Sequence, residues 1–190
     1  KEVTTEEYNQ VNSQAPVWCR ATDKVTEEEH KSFYKHISGD HEDYLAKSHF
    51  HLEGSVDMSV VLYLPRRAPM DMMGGQSKKH NRLKLYVKKI FINDNVKDLI
   101  PEWLGFVVGV VDCHQLPLNV SRELLQESRV MRVIKKQLIK KSLEMISQLS
   151  EEDMITCWNE FSKHLKLGIH EETTYHNKLL PLVRFHTNKH

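Results

Sequence analysis

The 190-residue chain sets 27 basic against 26 acidic residues and is 39% hydrophobic, enough apolar content to fill one core. Its even charge excludes a dedicated nucleic-acid or anionic-membrane binder, so any anion recognition must be local. With no initiator Met, no signal peptide and no apolar stretch of bilayer length, it reads as a soluble fragment.

In chain order, Thr26 followed by Glu29 fits a capping box, and Phe33 and Ile37 recur at helical spacing. A helix is therefore predicted over 26–38, with Gly39 as its stop. Segments 48–56 and 58–64 are rich in Val, Leu, Phe and Tyr and read as adjacent strands, with Gly54 offering a turn or bulge. The run 65–82, PRRAPMDMMGGQSKKHNR, reads as a long loop. LKLYVKKIFI, 83–92, places Leu83, Leu85 and Val87 on one face and shifts parity after two lysines, as a bulge or twist in a central strand would. FVVGVVD, 106–112, reads as a buried strand interrupted by Gly109.

From Ser121 the period changes. Leu124, Met131, Leu138 and Met145, completed by Ile134 and Leu149, predict one long amphipathic helix to about 149, capped by Asn119 or Ser121. Ser150 caps a next helix whose face carries Met154, Trp158, Phe161 and Leu165, closed by Gly168. A final helical stretch over 174–185 carries Pro181, which starts or kinks a turn. The order predicts an α/β unit over 1–150 followed by a helical extension over 151–190.

Chemistry concentrates in PLNVSRELLQ, 117–126, where a strand gives way to the long helix. Arg122 falls in that helix's predicted first turn, where exposed amides and the macrodipole disfavour a cation. Helix amides, a guanidinium able to bond two oxygens and Gln126 one turn on together suit a phosphate. The competing reading is an ion pair with a surface carboxylate. No P-loop, dinucleotide fingerprint, kinase signature or nucleophile elbow accompanies it, so an arginine acting on phosphate held by another domain is one expectation.

Elsewhere the signals have ordinary structural readings. Cys19, Cys113 and Cys157 are widely separated and form neither zinc spacing nor a disulfide framework. His49 and His51 share a strand face with no third ligand, and no metal site is expected. The basic residues Arg129, Arg132, Lys135, Lys136, Lys140 and Lys141 read as a solvated helix face. Met70, Met72 and Met73 either plug the long loop's own core or form a docking surface. Trp18 either anchors the first strand or projects as a binding residue.

PLNVSRELLQ, LPRRAPMDMM, LKLYVKKIFI, GVVD and KLGIHEE occur in the order expected of the heat shock protein 90 middle segment, and the chain resembles that segment from Pro16 onward. The resemblance implies an α/β, layered α-β-α domain related to the second domain of ribosomal protein S5, followed by a helical coil. It implies that Arg122 reaches the γ-phosphate of ATP bound, with Mg, mainly by an N-terminal domain outside this chain. Asn119 and Gln126 would position the segment, and Phe91 would pack behind it. Residues 65–73 would face the N-terminal domain, and Trp18 would contact clients.

Implied partners are the protein's own N-terminal ATPase domain, client proteins and co-chaperones, without nucleic acid or membrane. Homodimerisation would run through a further C-terminal domain. The fragment alone is expected to bind no cofactor and to turn over no ATP. Met70, Met72 and Met73 stand where the family carries aromatic or leucine residues, Cys113 and His114 replace a serine and an acid, and Pro181 interrupts a helix. Trp158-Asn159-Glu160 and the ending RFHTNKH resemble endoplasmin, which implies the endoplasmic reticulum lumen, whereas RRAP resembles cytoplasmic members. A pure client- or co-chaperone-binding module is the competing function, and the transducer domain of a topoisomerase or mismatch-repair ATPase a more distant one.

Overall fold

The computed structural model describes residues 14–69, 82–94, 96, 99–116 and 128–184. Two short 3-10 helices, Val17–Cys19 and Thr22–Lys24, precede α1, Glu27–Ser38. The Thr26 side chain accepts the Glu29 N–H while the Glu29 carboxylate takes the Thr26 N–H, and Gly39 closes the helix at φ 71°. The reciprocal cap satisfies two otherwise orphaned amides and contributes about 1 kcal/mol. The buried stripe is His30 and Tyr34 rather than Phe33 and Ile37, which are only partly covered.

Among the described residues five strands form one mixed sheet in the order β1-β2-β5-β3-β4. They are β1 Ala46–Leu52, β2 Met58–Leu64, β3 Arg82–Val87, β4 Ile90–Asn93 and β5 Val108–Cys113. All neighbours are antiparallel except β3 and β5, which run parallel with Tyr86 opposite Asp112. Every residue of β2 is buried, because helices cover both faces of the sheet.

Alternation along the strands divides the interior in two. Val60, Leu62, Leu83, Leu85 and Val111 face a large core closed by two long helices, while Val61, Tyr63, Val108 and Val110 face Tyr34 and Trp18. The layered α-β-α architecture follows from this two-sided burial. Gly109 lies opposite Leu62 of β2, and a Cβ there would stand 2.2 Å from the Val61 carbonyl oxygen.

The parity shift expected as a bulge in one strand is a hairpin. β3 and β4 are joined by the two residues Lys88 and Lys89, both with positive φ, 52° and 68°. The bulge lies one step further on, where the register shifts and Ile92 is skipped between the Tyr86–Phe91 and Leu85–Asn93 pairs. Positive φ at both positions is the type I′ form of a two-residue turn, a conformation costing a non-glycine residue about 1–2 kcal/mol.

The long helix α2 spans Arg129–Ser147 and is capped by Ser128, whose hydroxyl accepts the Met131 N–H at 3.1 Å. The helix predicted from Ser121 thus begins at Arg129, and Asn119, Ser121 and Arg122 lie outside the described residues. Ser128 stands directly before the buried stripe of Met131, Ile134, Leu138 and Met145. α3, Glu151–Glu171, runs through Gly168 instead of ending there. Gly168 is small because Trp103 packs against it: an added Cβ would lie 2.6 Å from the indole.

After α3 come a 3-10 turn, the short α4 His176–Leu179 and a 3-10 helix Leu180–Leu182 that contains Pro181. The proline thus falls where the α-helix has already tightened. Phe106 stacks on Phe161 at 4.2 Å between centroids, so the segment after 150 packs into the same core as the sheet.

Candidate functional site

Because β3 and β5 run parallel, their C-terminal ends lie side by side. The Lys88–Lys89 turn therefore stands beside the point where the chain leaves β5 through Cys113 and His114 toward residues 117–127. Arg122, Gln126 and Asn119 fall in that stretch, outside the described residues, as do Met70, Met72 and Met73. Phe91 and Trp18 are described, and the structure links them.

Trp18 is 8% exposed, within a 3-10 helix rather than a strand. Its ring lies 4.8 Å from Tyr86 and 5.7 Å from Phe33, and Tyr86 lies 5.5 Å from Phe91. One edge of Trp18 contributes to an open groove of about 600 Å³ shared with Pro16, Arg20, Phe33 and His36. Phe91 itself is 51% exposed and Ile90 beside it 53%, a pair of large apolar side chains facing solvent at the hairpin tip.

Beneath the hairpin is a residue that the sequence reading passed over. Asp112 is fully buried, and its carboxylate accepts the Trp18 Nε1–H at 3.1 Å and the Lys89 backbone N–H at 3.1 Å to each oxygen. A charge in such a place requires donors on every side to offset lost hydration. The carboxylate together with burial pushes up the nearby Cys19 thiol and Tyr86 hydroxyl, burial acting more strongly in both. The signal in the sequence was an acid closing an apolar, β-branched run.

Cys113 and His114, which follow GVVD, also find places. Cys113 is buried in the large core, where burial raises its thiol. His114 stands 3.3 Å from the Asp57 carboxylate, and its backbone N–H donates to the Asp57 carbonyl. The His–Asp pair ties the exit of β5 to the turn before β2.

A second polar cluster occupies the α1–β1 interface. His30 and His49, and His49 and His51, have ring centroids 5.4 Å apart. His30 Nδ1 bonds the Tyr63 hydroxyl at 2.7 Å, and His51 bonds Ser59 and the Arg20 carbonyl. His49 has no hydrogen-bond partner of ordinary geometry on either ring nitrogen, although the Trp18 backbone offsets a little of its burial. Burial and the neighbouring His30 and His51 push His49 down to about 4. Among the described residues no group of three or more His, Cys, Asp or Glu side chains is arranged to hold a metal ion.

The start of the 65–82 run is tethered to α3: the Ala68 N–H donates to Glu160 at 2.7 Å and Arg66 lies 3.8 Å from Asp153. On α2, Lys140 and Lys141 both face Glu144, so that part of the basic cluster is a paired helix face. No helix among the described residues is long and apolar enough to cross a membrane.

The family model described as Hsp90 protein matches residues 1–190. Heat shock protein 83 of Leishmania donovani is 47% identical over 191 residues, covering 100% of this chain and 42% of that protein. The endoplasmin homolog of Caenorhabditis elegans is 41% identical over 187 residues, covering 98% of this chain and 25% of that one. Heat shock protein 90-6, mitochondrial, of Arabidopsis thaliana is 41% identical over 188 residues, 96% of this chain and 24% of that protein. The chain thus spans well under half the length of these relatives. Among solved structures, the middle domain of a Plasmodium falciparum heat shock protein superposes with a TM-score of 0.80 at 29% identity, over 90% of this chain and 67% of that one.

Proposed function

The chain belongs to the Hsp90 protein family, and from that premise we propose that it is the part of an ATP-dependent chaperone that brings Arg122 to the γ-phosphate of ATP held by an N-terminal domain. The observation that carries the reading is the family match over residues 1–190, within which SRELLQ stands between β5 and α2. The hairpin bearing Phe91 lies at the end of the sheet from which that stretch departs, which supports Phe91 as the side chain behind it.

The chemistry follows from the side chains. During phosphoryl transfer to water, negative charge is spread over the equatorial oxygens of the transferred group, with little covalent work for the protein. A guanidinium forks two N–H groups toward two oxygens and stays charged throughout, so Arg122 stabilises that charge where a lysine would meet one oxygen. Gln126 and Asn119 orient the segment. ATP and Mg would be bound mainly by the N-terminal domain, where Mg would offset phosphate charge. Client contact by Trp18, at the edge of its groove, and by Met70, Met72 and Met73 belongs to the same proposal.

The test is Arg122→Ala in the full-length protein. Loss of one transition-state donor lowers kcat by about 100- to 1000-fold while ATP affinity is retained. Turnover near wild type would overturn the assignment. Residence in the endoplasmic reticulum lumen is a separate proposal, supported by Trp158-Asn159-Glu160 and RFHTNKH and by the endoplasmin homolog among the relatives. Fractionation of cells expressing the full-length protein tests it, and a cytosolic pool alone would reject it.

A further inference from the structure

We propose that Asp112 is a positioning residue that holds the Lys88–Lys89 turn in its left-handed conformation and thereby fixes where Phe91 stands. The inference rests on the reading of Phe91 as the support of the catalytic segment; the clasp itself does not.

Lysine has no intrinsic preference for positive φ, and Asn-Gly or Asp-Gly is what a turn of this length ordinarily requires. Two consecutive lysines at φ 52° and 68° therefore need an outside constraint. Asp112 supplies it. The Lys89 N–H, which points inward in this conformation, is taken by both carboxylate oxygens at 3.1 Å, and Oδ2 is braced by the Trp18 indole. The acceptor comes from β5, opposite Tyr86 in the parallel register, so the turn is fastened to the middle of the sheet rather than to its own hairpin.

Fixing Lys89 fixes the Val87–Ile90 and Tyr86–Phe91 pairs that follow, and with them the direction in which two half-exposed apolar side chains project. Asn in place of Asp112 keeps the shape but leaves one oxygen and turns an NH2 toward a donor. In either amide orientation that NH2 stands 3.1 Å from the Lys89 N–H, donor against donor, and the turn relaxes toward ordinary φ.

The experiment uses the full-length protein with Asp112→Asn, the pair Lys88→Asn and Lys89→Gly, and all three substitutions combined. Amide hydrogen exchange at residues 89–93 reads the turn, and ATP kcat and ATP affinity read its consequence. Asp112→Asn is expected to speed exchange at Lys89 and to lower kcat by roughly 10-fold or more, with ATP affinity unchanged. Adding Asn-Gly, which adopts the turn unaided, is expected to restore kcat to within about twofold.

Unchanged exchange in Asp112→Asn overturns the clasp. Faster exchange with unchanged kcat overturns its positioning role, and so does a lost kcat that Asn-Gly fails to restore. If Asp112→Asn alone does not fold, the triple variant must fold and turn over ATP for the proposal to stand. Arg122→Ala in the same background separates the two readings. Retained turnover there rejects the catalytic assignment, whereas exchange at Lys89 still decides the clasp.

Discussion

His49 allows a prediction in which the sign and the size of an effect both follow from the structure. Its imidazole is pushed down to about 4 by burial first and then by His30, His51 and Lys47. His30 is lowered as well, by burial and Lys47, with Glu27 and Glu29 pulling the other way; Glu27 is engaged by Lys47 and Tyr44, and Glu29 by Arg20. An unfolded histidine titrates near 6.5, so between about pH 6.5 and 4 the unfolded chain binds the extra proton. Stability is therefore complete above about pH 7 and lost as pH falls through that window.

At about pH 5 the full shift of His49 corresponds to roughly 2 kcal/mol, and partial exposure and screening reduce it to about 1 kcal/mol. For a chain of this size that is a Tm difference of roughly 2–4 °C. Circular dichroism melts of wild type and His49→Gln at about pH 7.5 and about pH 5 read it together with its coupling to His30 and His51. The variant should lose about 2–4 °C less on acidification than wild type. Equal losses in the two proteins would refute the claim that His49 is held neutral by its site.

Gly109→Ala forces a Cβ against the Val61 carbonyl oxygen at 2.2 Å, between two central strands, and should cost about 3 kcal/mol in urea unfolding; an unchanged midpoint would mean that β2 and β5 can part. Thr26→Ala removes the hydroxyl that caps α1 and should cost about 1 kcal/mol by the same assay, with no change if the Glu29 half of the box suffices.

Local chemistry made α1 legible, because Thr26, Glu29 and Gly39 are read from covalent structure alone and the fold leaves them as they are. Strands β2 and β5 were legible from their β-branched runs. What sequence period could not distinguish was a bulged strand from a hairpin whose turn is held from outside: Lys88-Lys89 lacks the usual glycine or asparagine, and its constraint, Asp112, lies on another strand. Gly168 was misread for a related reason. Its smallness answers to Trp103, distant in sequence, not to a helix end.

The onset of α2 at Arg129 was not legible, since Ser121 and Ser128 are chemically alike as caps and sequence period does not choose between them. Helix-end chemistry marked Arg122 and Gln126 as suited to a phosphate and Asn119 as a cap, and only the family resemblance identified that phosphate as the third of ATP. Burial singled out Asp112 within GVVD and joined His30 to the His49–His51 pair.

The central claim is a contact between Arg122 and the terminal phosphate of ATP, and a structure of the full-length protein with ADP and aluminium fluoride bound measures it. The account predicts the Arg122 guanidinium within about 2.7–2.9 Å of the fluoride groups that stand for the transferred phosphoryl oxygens, as a charge-assisted bond requires. An Arg122 turned away and paired with a surface carboxylate while the nucleotide site is closed would contradict it.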